Sequence, residues 1–481
     1  MKLSSLLKAL LEKEVFSYKD LEIKGITDNH KDIENGFLFV AISGEKFNGH
    51  SFIQSAIENG AACFVVEERK YIIPDKTFIL VPSSRRALSQ LASVFFENPA
   101  SSLNIIAITG TNGKTTIAFL IEEIFRKALF PIARFSTIGH RIGDEDISTS
   151  FTTPQPLEMH RLFLKAKNKG IKFVVMEVSS HALSLNRVFG IRFSCAIFTN
   201  LSEDHLDFHK TIDDYLLSKR RLFLSLDKEA KALVNIDSPS YSKITEGIRA
   251  RVITYGIEKD ADVKASDIED SKDGTSFSIG KERIKTHLYG RYNIYNCLSA
   301  ISCAINYGIS FEVIKDALFD FKPPSGRFEI IWKNPIVVID YAHTPDALSS
   351  VLNAAWGFKP KRVILVFGCG GNREKEKRPI MGSIADELAS LTIVTSDNPR
   401  DEDPEIIIDE IEKGMKKPHL RIADRKEAIK KAIESANSDD LVLLSGKGHE
   451  DYQIIKDKRL PFNDKEVAWE ILKEMQNAKL W

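Results

Sequence analysis

The segment TGTNGKTT, residues 109–116, constrains this chain more than any other. It stands between an apolar run, NIIAI, and a helical pattern that carries Phe119, Leu120 and Ile124. A glycine-rich turn from strand to helix aims backbone N–H groups at one point, where phosphate oxygens fit. Thr109, Gly110, Thr111, Asn112 and Gly113 would form that cradle. Lys114 would reach the β- and γ-phosphates, and the Thr115 hydroxyl suits Mg²⁺. The loop departs from GxxxxGK[ST] at one place, because Ile108 stands at the first glycine. A tight turn with no ligand is the competing reading, and the flanking strand and helix favour ATP or GTP.

A nucleotide loop needs a scaffold, and the chain is long enough for several. Its 481 residues correspond to about three domains, each able to bury a core. No stretch approaches the ~18 uninterrupted apolar residues of a bilayer span. The start, MKLSSLLKALLEKE, is interrupted by Lys8, Glu12 and Lys13 and reads as an amphipathic helix rather than a signal peptide, so a cytoplasmic protein is expected. Lys plus Arg (67) equals Asp plus Glu (67), with no long run of one sign, which argues against nucleic-acid or membrane partners. The cysteines at 63, 195, 297, 303 and 369 form no CxxC pair and are expected to be buried and reduced.

Domain limits follow from pattern changes. Residues 83–98 predict a helix, since Leu88, Leu91, Ala92 and Phe95 recur at helical spacing behind a Ser cap and Pro99 stops it. The turn-rich KPPSGRFE, 322–329, reads as a hinge before the strand PIVVIDY. The expected domains are therefore 1–100, 101–328 and 329–481. In the last, VVID, RVILVFG, LTIVTS and DLVLLSG alternate with helical patterns, which implies βαβ units and a doubly wound parallel sheet. The middle domain begins in the same way, and ligands are expected at the carboxyl ends of the strands.

Two further segments carry chemistry. FVVMEVSSHAL puts Glu177 at the end of an apolar strand, where a group supporting Mg²⁺ belongs. FTNLSEDHLDFH crowds Asp204, His205, Asp207 and His209 together, and Lys219 follows. A solvated acidic turn is the alternative for that segment. Glu, His and phosphate oxygens suit Mg²⁺ or Mn²⁺ better than zinc.

GTNGKT, MEVSSHAL, FTNLxxDHLDFH, GRYNIYN, SGRFE, DYAHTPDAL, FGCGGNREKEKRP, DNPRDEDP and GKGHE occur in the order found in the Mur ligases, and the chain resembles that family from about residue 25 to about 467. The closest likeness is to its tripeptide-synthesising branch. The resemblance implies three α/β domains: an N-terminal uridine-nucleotide domain, a central P-loop ATPase-like domain and a C-terminal Rossmann-like doubly wound domain. It implies an ATP-dependent ligase in which a substrate carboxylate takes the γ-phosphate and an amine displaces it. The substrates would be UDP-MurNAc-L-Ala-D-Glu and meso-diaminopimelate, with L-lysine as the alternative acceptor, in a chain that acts as a monomer.

By the same resemblance, Thr115, Glu177, His205 and Lys219, the last as a carbamate, serve Mg²⁺. Asn296, Arg327, Asp340 and His343 meet ATP. Asn29, Thr152, Thr153, Ser179 and Arg187 meet the UDP-sugar peptide. Two positions depart from the family pattern: Asp28, Asn29, His30 replaces Asp, Ser, Arg, and Leu185 replaces a glutamine. Arg373, Asp397, Asn398, Pro399, Arg400, Gly446 and Glu450 form the diaminopimelate pocket. Arg400 matters most there, because a guanidinium can clamp the second carboxylate that L-lysine lacks. Rival readings are the D-Ala-D-Ala-adding ligase or folylpolyglutamate synthetase, a regulatory protein that binds nucleotide without catalysis, and a P-loop motor.

Overall fold

A computed structural model describes residues 1–44, 47–271 and 273–478. Three larger sheets organise the chain. The first joins, in spatial order, Glu14–Phe16, Thr77–Leu80, Cys63–Val66, Phe37–Val40 and Gly25–Thr27, all parallel except the edge strand Glu14–Phe16. Its alternating residues face two cores. Leu38, Val40, Cys63 and Val65 pack with Leu3, Leu6, Leu88 and Leu91, while Phe39, Phe64 and Phe78 pack with Ile53 and Ala56.

The N-terminal helix is shorter than its pattern suggests and covers Leu3–Leu7 only. One turn and a half cannot stand alone, and it is held by the Asp20 carboxylate, which accepts from Ser4 N at 2.9 Å. The helix expected at 83–98 spans Ser84–Phe95, and the Ser83 side chain caps it through Arg86 N. It ends earlier than expected because Glu97 and Asn98 take positive φ (63° and 50°) before Pro99.

The middle sheet has nine strands, with Asn104–Thr109 between Cys195–Phe198 and Phe173–Glu177. The next strand in sequence, Ile132–Ser136, pairs beyond Phe173–Glu177, so the chain reverses direction across the sheet at the carboxyl end of Asn104–Thr109. That reversal opens a crevice where a ligand can reach several loops at once. Ile106, Ile108, Ile197 and Leu233 pack under the helices Lys114–Lys127, Arg291–Asn306 and Phe311–Asp320. Ile105, Ala107, Met176 and Phe198 face Pro156–Asn168 and Ile212–Leu224. The hairpin Gly139–Ile147 at one edge and the three-stranded antiparallel sheet of residues 266–286 were not foreseen from periodicity.

The last sheet runs Glu329–Lys333, Ile336–Asp340, Leu441–Ser445, Val363–Phe367, Leu391–Val394, Leu420–Arg421. It is doubly wound as expected, with one addition: Glu329–Lys333, which begins at the last residue of the expected hinge, is an antiparallel edge strand. Val363, Leu365, Phe367 and Leu443 face one helical layer, and Ile364, Val366, Val442 and Leu444 the other. All five cysteines are buried and free.

Candidate active site

The phosphate loop is shaped by what its glycines must avoid. Gly113 has φ +90°, and a Cβ there would lie 2.4 Å from Asn296 Oδ1. Gly110, at φ +148°, would drive a Cβ to 1.8 Å from Thr199 Oγ1. Both positions require glycine because φ is positive and a neighbouring side chain fills the space. The loop is tied to the next strand's end: Asn112 N donates to Asn200 Oδ1 at 2.8 Å, and Thr111 N to Asn200 O at 3.0 Å.

Lys114 Nζ donates to the carbonyls of Gly110 (2.9 Å) and Thr111 (2.7 Å), so the side chain folds over its own loop. Lys219, from the helix Ile212–Leu224, is buried and donates to the same Gly110 carbonyl at 2.9 Å. Burial and then the adjacent Lys114 push the Lys219 amine well below the usual lysine range. Tyr215, one turn earlier, lies 4.1 Å from Lys219 Nζ and shares a hydroxyl contact of 3.2 Å with Thr111.

Glu177 ends its strand as expected, and Thr137 holds its carboxylate from the N–H (2.9 Å) and the hydroxyl (3.1 Å). Thr111 to Thr116, Glu177, Asp204, His205 and Lys219 line one cavity of about 160 Å³, together with Thr152 and Ser179. Among the described residues no group of three His, Cys, Asp or Glu is placed to hold a metal unaided. The donors that meet here are a hydroxyl, a carboxylate, an imidazole and a lysine, and phosphate oxygens would complete the shell. That set fits Mg²⁺, which usually takes one or two carboxylates with phosphates and water. Thr109 and Gly110 lie beneath the loop rather than on the cavity wall.

Residues 204–209 are not a solvated acidic turn. Asp204 and His209 are buried, and His205 takes φ +58° at the start of the turn Leu206–His209. Burial lowers His205, with the neighbouring Asp204 carboxylate opposing that shift. Burial alone would raise Asp204, but His205, His343, Lys377 and Lys114 outweigh it and keep the carboxylate ionised.

A second cavity joins this region to the last domain. Its walls include Asp204, His205, His343, Arg373, Asp397, Asn398, Arg400, Gly446 and Glu450. Arg400, at φ +52°, donates from Nη1 to Gly371 O at 2.7 Å. Asn398 bridges the pocket: its Nδ2 donates to Glu450 Oε2 at 2.8 Å and its Oδ1 accepts from Ile454 N at 2.9 Å. Asp397 Oδ1 accepts from Asn398 N at 2.6 Å. Pro399 presents its carbonyl to Gly371, where a Cβ would meet it at 1.9 Å. Arg373 reaches instead across the domain junction to Asp207 at 3.1 Å.

A third cavity, lined by Asn112, Gly113, Asn296, Arg327, Asp340, Tyr341 and His343, adjoins the loop. Asn296 does not cap its helix; it sits six residues into Arg291–Asn306 and bonds Asn293. Both Asp340 carboxylate oxygens are taken by backbone donors, Phe328 N and Ala342 N, each at 2.7 Å. Its strand-ending role is therefore visible alongside its place on the wall. Arg327 reaches Thr115 Oγ1 at 3.5 Å and stacks on Tyr341.

The largest cavity, about 610 Å³, lies between the first and middle domains and is lined by Asp28, Asn29, His30, Arg85, Leu185 and Arg187 among others. Two of the expected contact residues have side chains already engaged within the protein, although Asn29 still lines this cavity. Asn29 spends its side chain on its own turn, accepting from Lys31 N and donating to Asp32. Thr153 is fully buried under the wall, donating to Glu177 O at 2.9 Å and accepting from Ser179 N at 3.0 Å. The Thr153 hydroxyl is held by the backbone it braces, and the Asn29 amide is shared between Lys31 N and the Asp32 carboxylate. His30, at the variant position, stacks on Phe52 with ring centroids 4.1 Å apart. Arg187 Nη1 donates to Thr153 O at 3.1 Å.

Sequence reasoning noted Asp204 without giving it a role, and it passed over Arg85, Glu374 and Lys447. Asp204 and Lys447 stand inside the segments DHLDFH and GKGHE, and their burial is what singles them out. Nothing local in the sequence marks Arg85.

Three α/β sheets, a phosphate loop at a sheet reversal and a polar cavity facing it define a nucleotide-binding enzyme with a second site beside the phosphates. The chain belongs to the Mur ligase family. Family models described as "Mur ligase family, catalytic domain", "Mur ligase middle domain" and "Mur ligase, glutamate ligase domain" match residues 22–96, 108–304 and 326–448. The chain is 43% identical over 487 residues to the UDP-N-acetylmuramoyl-L-alanyl-D-glutamate--2,6-diaminopimelate ligase of Clostridium tetani, covering 99% of this chain and 100% of that one. It is also 43% identical, over 457 residues and 94% of each chain, to the protein of that name from Aquifex aeolicus. A solved structure of a ligase of the same name superposes with a TM-score of 0.70 at 30% identity, covering 99% of this chain and 100% of that one. The MurF ligase of Thermotoga maritima in complex with ADP shares the fold, with a TM-score of 0.65 at 20% identity over 96% of this chain and 100% of that one.

Proposed function

We propose that this chain is an ATP-dependent ligase that adds meso-diaminopimelate to UDP-MurNAc-L-Ala-D-Glu in peptidoglycan precursor synthesis. One observation carries the reading. Asp204, His205 and His343 line both the phosphate-loop region and the cavity bearing Asn398, Arg400 and Glu450, so an activated carboxylate and an incoming amine can meet between them. The Clostridium tetani and Aquifex aeolicus relatives are named as diaminopimelate ligases, and Arg400 gives a physical reason to expect the same acceptor here: Nε and Nη2 make no hydrogen bond to the described residues and are free for a second carboxylate.

The chemistry is a pair of displacements. The substrate carboxylate attacks the γ-phosphorus of ATP, giving an acyl phosphate and ADP. The acceptor amine then attacks the acyl carbon, phosphate leaves, and the amine loses a proton. Phosphoryl transfer needs chiefly position and charge neutralisation. Lys114 swings from its loop carbonyls to the phosphates, the loop N–H groups fix the β-phosphate, Arg327 brings charge at the domain junction, and His343 offers an imidazole from the last domain. Mg²⁺, held by Thr115, Glu177, His205 and a carbamate on Lys219, would neutralise charge on the phosphates. A neutral amine is the form able to take up CO₂, and burial with the adjacent Lys114 moves Lys219 toward that form.

The UDP-sugar peptide occupies the large cavity beside Arg187 and His30, with Thr152 and Ser179 nearest the reacting end. Domain limits of 1–100, 101–328 and 329–481 suit this division of labour. No described helix is long and apolar enough to cross a membrane, and the reading is of a monomer acting in the cytoplasm, where its nucleotide substrates are. The test is to supply ATP, Mg²⁺, UDP-MurNAc-L-Ala-D-Glu and meso-diaminopimelate and identify the product by mass. One ADP and one phosphate per tripeptide nucleotide are expected. ATP hydrolysis without a coupled product would overturn the reading.

A further inference from the structure

Lys447 follows the strand Leu441–Ser445 and has a fully buried side chain. Its Nζ lies 3.1 Å from Glu450 Oε2 and 3.2 Å from Asn398 Oδ1. Both partners line the acceptor cavity, and Lys447 stands behind them. Glu450 Oε2 therefore receives two donors, Lys447 Nζ and Asn398 Nδ2, while Oε1 receives none from the described residues. The carboxylate is fixed with one oxygen left over. An ammonium buried among polar groups is costly unless it is paired, and this one has a single anionic partner.

We propose that Lys447 is a specificity-determining residue, which turns Glu450 toward the acceptor's ammonium and supplies the positive charge that makes the cavity demand a second carboxylate. The proposal rests on the diaminopimelate reading above. The distal end of diaminopimelate carries an ammonium and a carboxylate, which together are neutral. The ammonium pairs with Glu450 Oε1 and the carboxylate with Arg400. Lys447 offsets the charge of Glu450, so the incoming carboxylate does not meet an uncompensated anion. The distal end of L-lysine is an ammonium alone, and it adds an uncompensated positive charge where Lys447 and Arg400 already stand against Glu450 and Asp397. Lys447 thus favours diaminopimelate and disfavours lysine through one charge.

That opposition of signs makes the test specific. Lys447→Met removes the charge, and Lys447→Gln removes it while keeping a donor for Glu450 and Asn398. Lys447→Arg keeps the charge. Steady-state kinetics with diaminopimelate and with L-lysine, at saturating ATP and nucleotide dipeptide, should show KM for diaminopimelate rising at least tenfold in the two uncharged variants. Their kcat/KM for lysine should hold or rise, so the preference ratio falls at least tenfold. Lys447→Arg should keep most of the preference, and KM for ATP should not move in any variant. A parallel fall for both acceptors, with the ratio unchanged in Lys447→Gln, would show a merely structural lysine and overturn the proposal. Wild-type protein that uses both acceptors equally, or neither, would instead overturn the reading beneath it, and the wild-type assay separates the two failures.

Discussion

Lys114 and Lys219 both donate to the carbonyl of Gly110, each at 2.9 Å. Two ammonium groups sharing one oxygen repel, and the more deeply buried amine yields its proton first. That makes Lys219 chemically distinct from a surface lysine, although its sequence neighbours, Ser218 and Arg220, give no hint of it. If it carries a carbamate, Lys219→Ala should retain less than about a hundredth of wild-type activity, on the scale of losing a preorganised charge at the reacting phosphate. Added formate or acetate should restore part of the activity, as should Lys219→Glu. Full activity in Lys219→Ala would reject the role. Arg400 is tested separately. Sites built around a buried polar partner exclude analogues lacking it by roughly 10⁴-fold in kcat/KM, so the wild type should use almost no L-lysine. Arg400→Ala should lose diaminopimelate activity mainly through KM, and an unchanged acceptor preference would remove Arg400 from the pocket. These residues were legible because their partners are near in sequence or stand in a recognisable segment. Lys447 was not, since its value lies in contacts with Asn398, 49 residues away, and in burial.

Periodicity exposes what an element buries, but not what borders it. The runs VVID, RVILVFG and DLVLLSG were readable as strands because both of their faces are covered and the apolar signal is continuous. Glu329–Lys333 escaped because it is an edge strand, half exposed and joined to its neighbour by a two-residue turn in a segment dominated by turn residues. The same blindness hides two histidines. His140, in the strand Gly139–Ile142, and His160, in the helix Pro156–Asn168, are both buried, and neither ring nitrogen of either has a hydrogen-bond partner among the described residues. Burial lowers both to about 4, with Arg134 adding to the effect at His140. In the unfolded chain they titrate at about 6.5. Between pH 6.5 and 4 the unfolded chain therefore binds more protons than the folded one, so stability is full above this window and falls as pH drops through it. A shift of this size corresponds to at most about 3 kcal/mol per histidine. His160→Leu should flatten the dependence of the denaturation midpoint on pH across that interval while leaving the dependence above pH 7 as it is. An unaltered slope between pH 4 and 6.5 would mean that His160 is not held neutral.

The last domain meets the middle one through aromatic packing, with Tyr289 on Phe358 at 4.1 Å, and through polar contacts near the phosphate loop. Asn112 of the phosphate loop donates to Asp346 at 3.0 Å, Glu374 accepts from Leu206 N, and Arg373 pairs with Asp207 at 3.1 Å. None was visible in sequence, because each joins segments that only the domain arrangement brings together. The Arg373–Asp207 pair has a particular consequence. Arg373 belongs to the proposed acceptor pocket, yet its guanidinium here is engaged by a carboxylate of another domain, so Asp207 and an acceptor carboxylate compete for it. The pair is half exposed, and such pairs are worth about 0–1 kcal/mol. Asp207→Asn should therefore release Arg373 to the acceptor and lower KM for diaminopimelate by up to about fivefold, the factor equivalent to 1 kcal/mol. The same change removes one contact between the two domains, so kcat should fall modestly, and added salt should bring wild type and variant closer together by screening the pair. A rise in KM for diaminopimelate would mean that Asp207 holds Arg373 in place for the acceptor instead of competing for it, and the direction of that one parameter decides between the two arrangements.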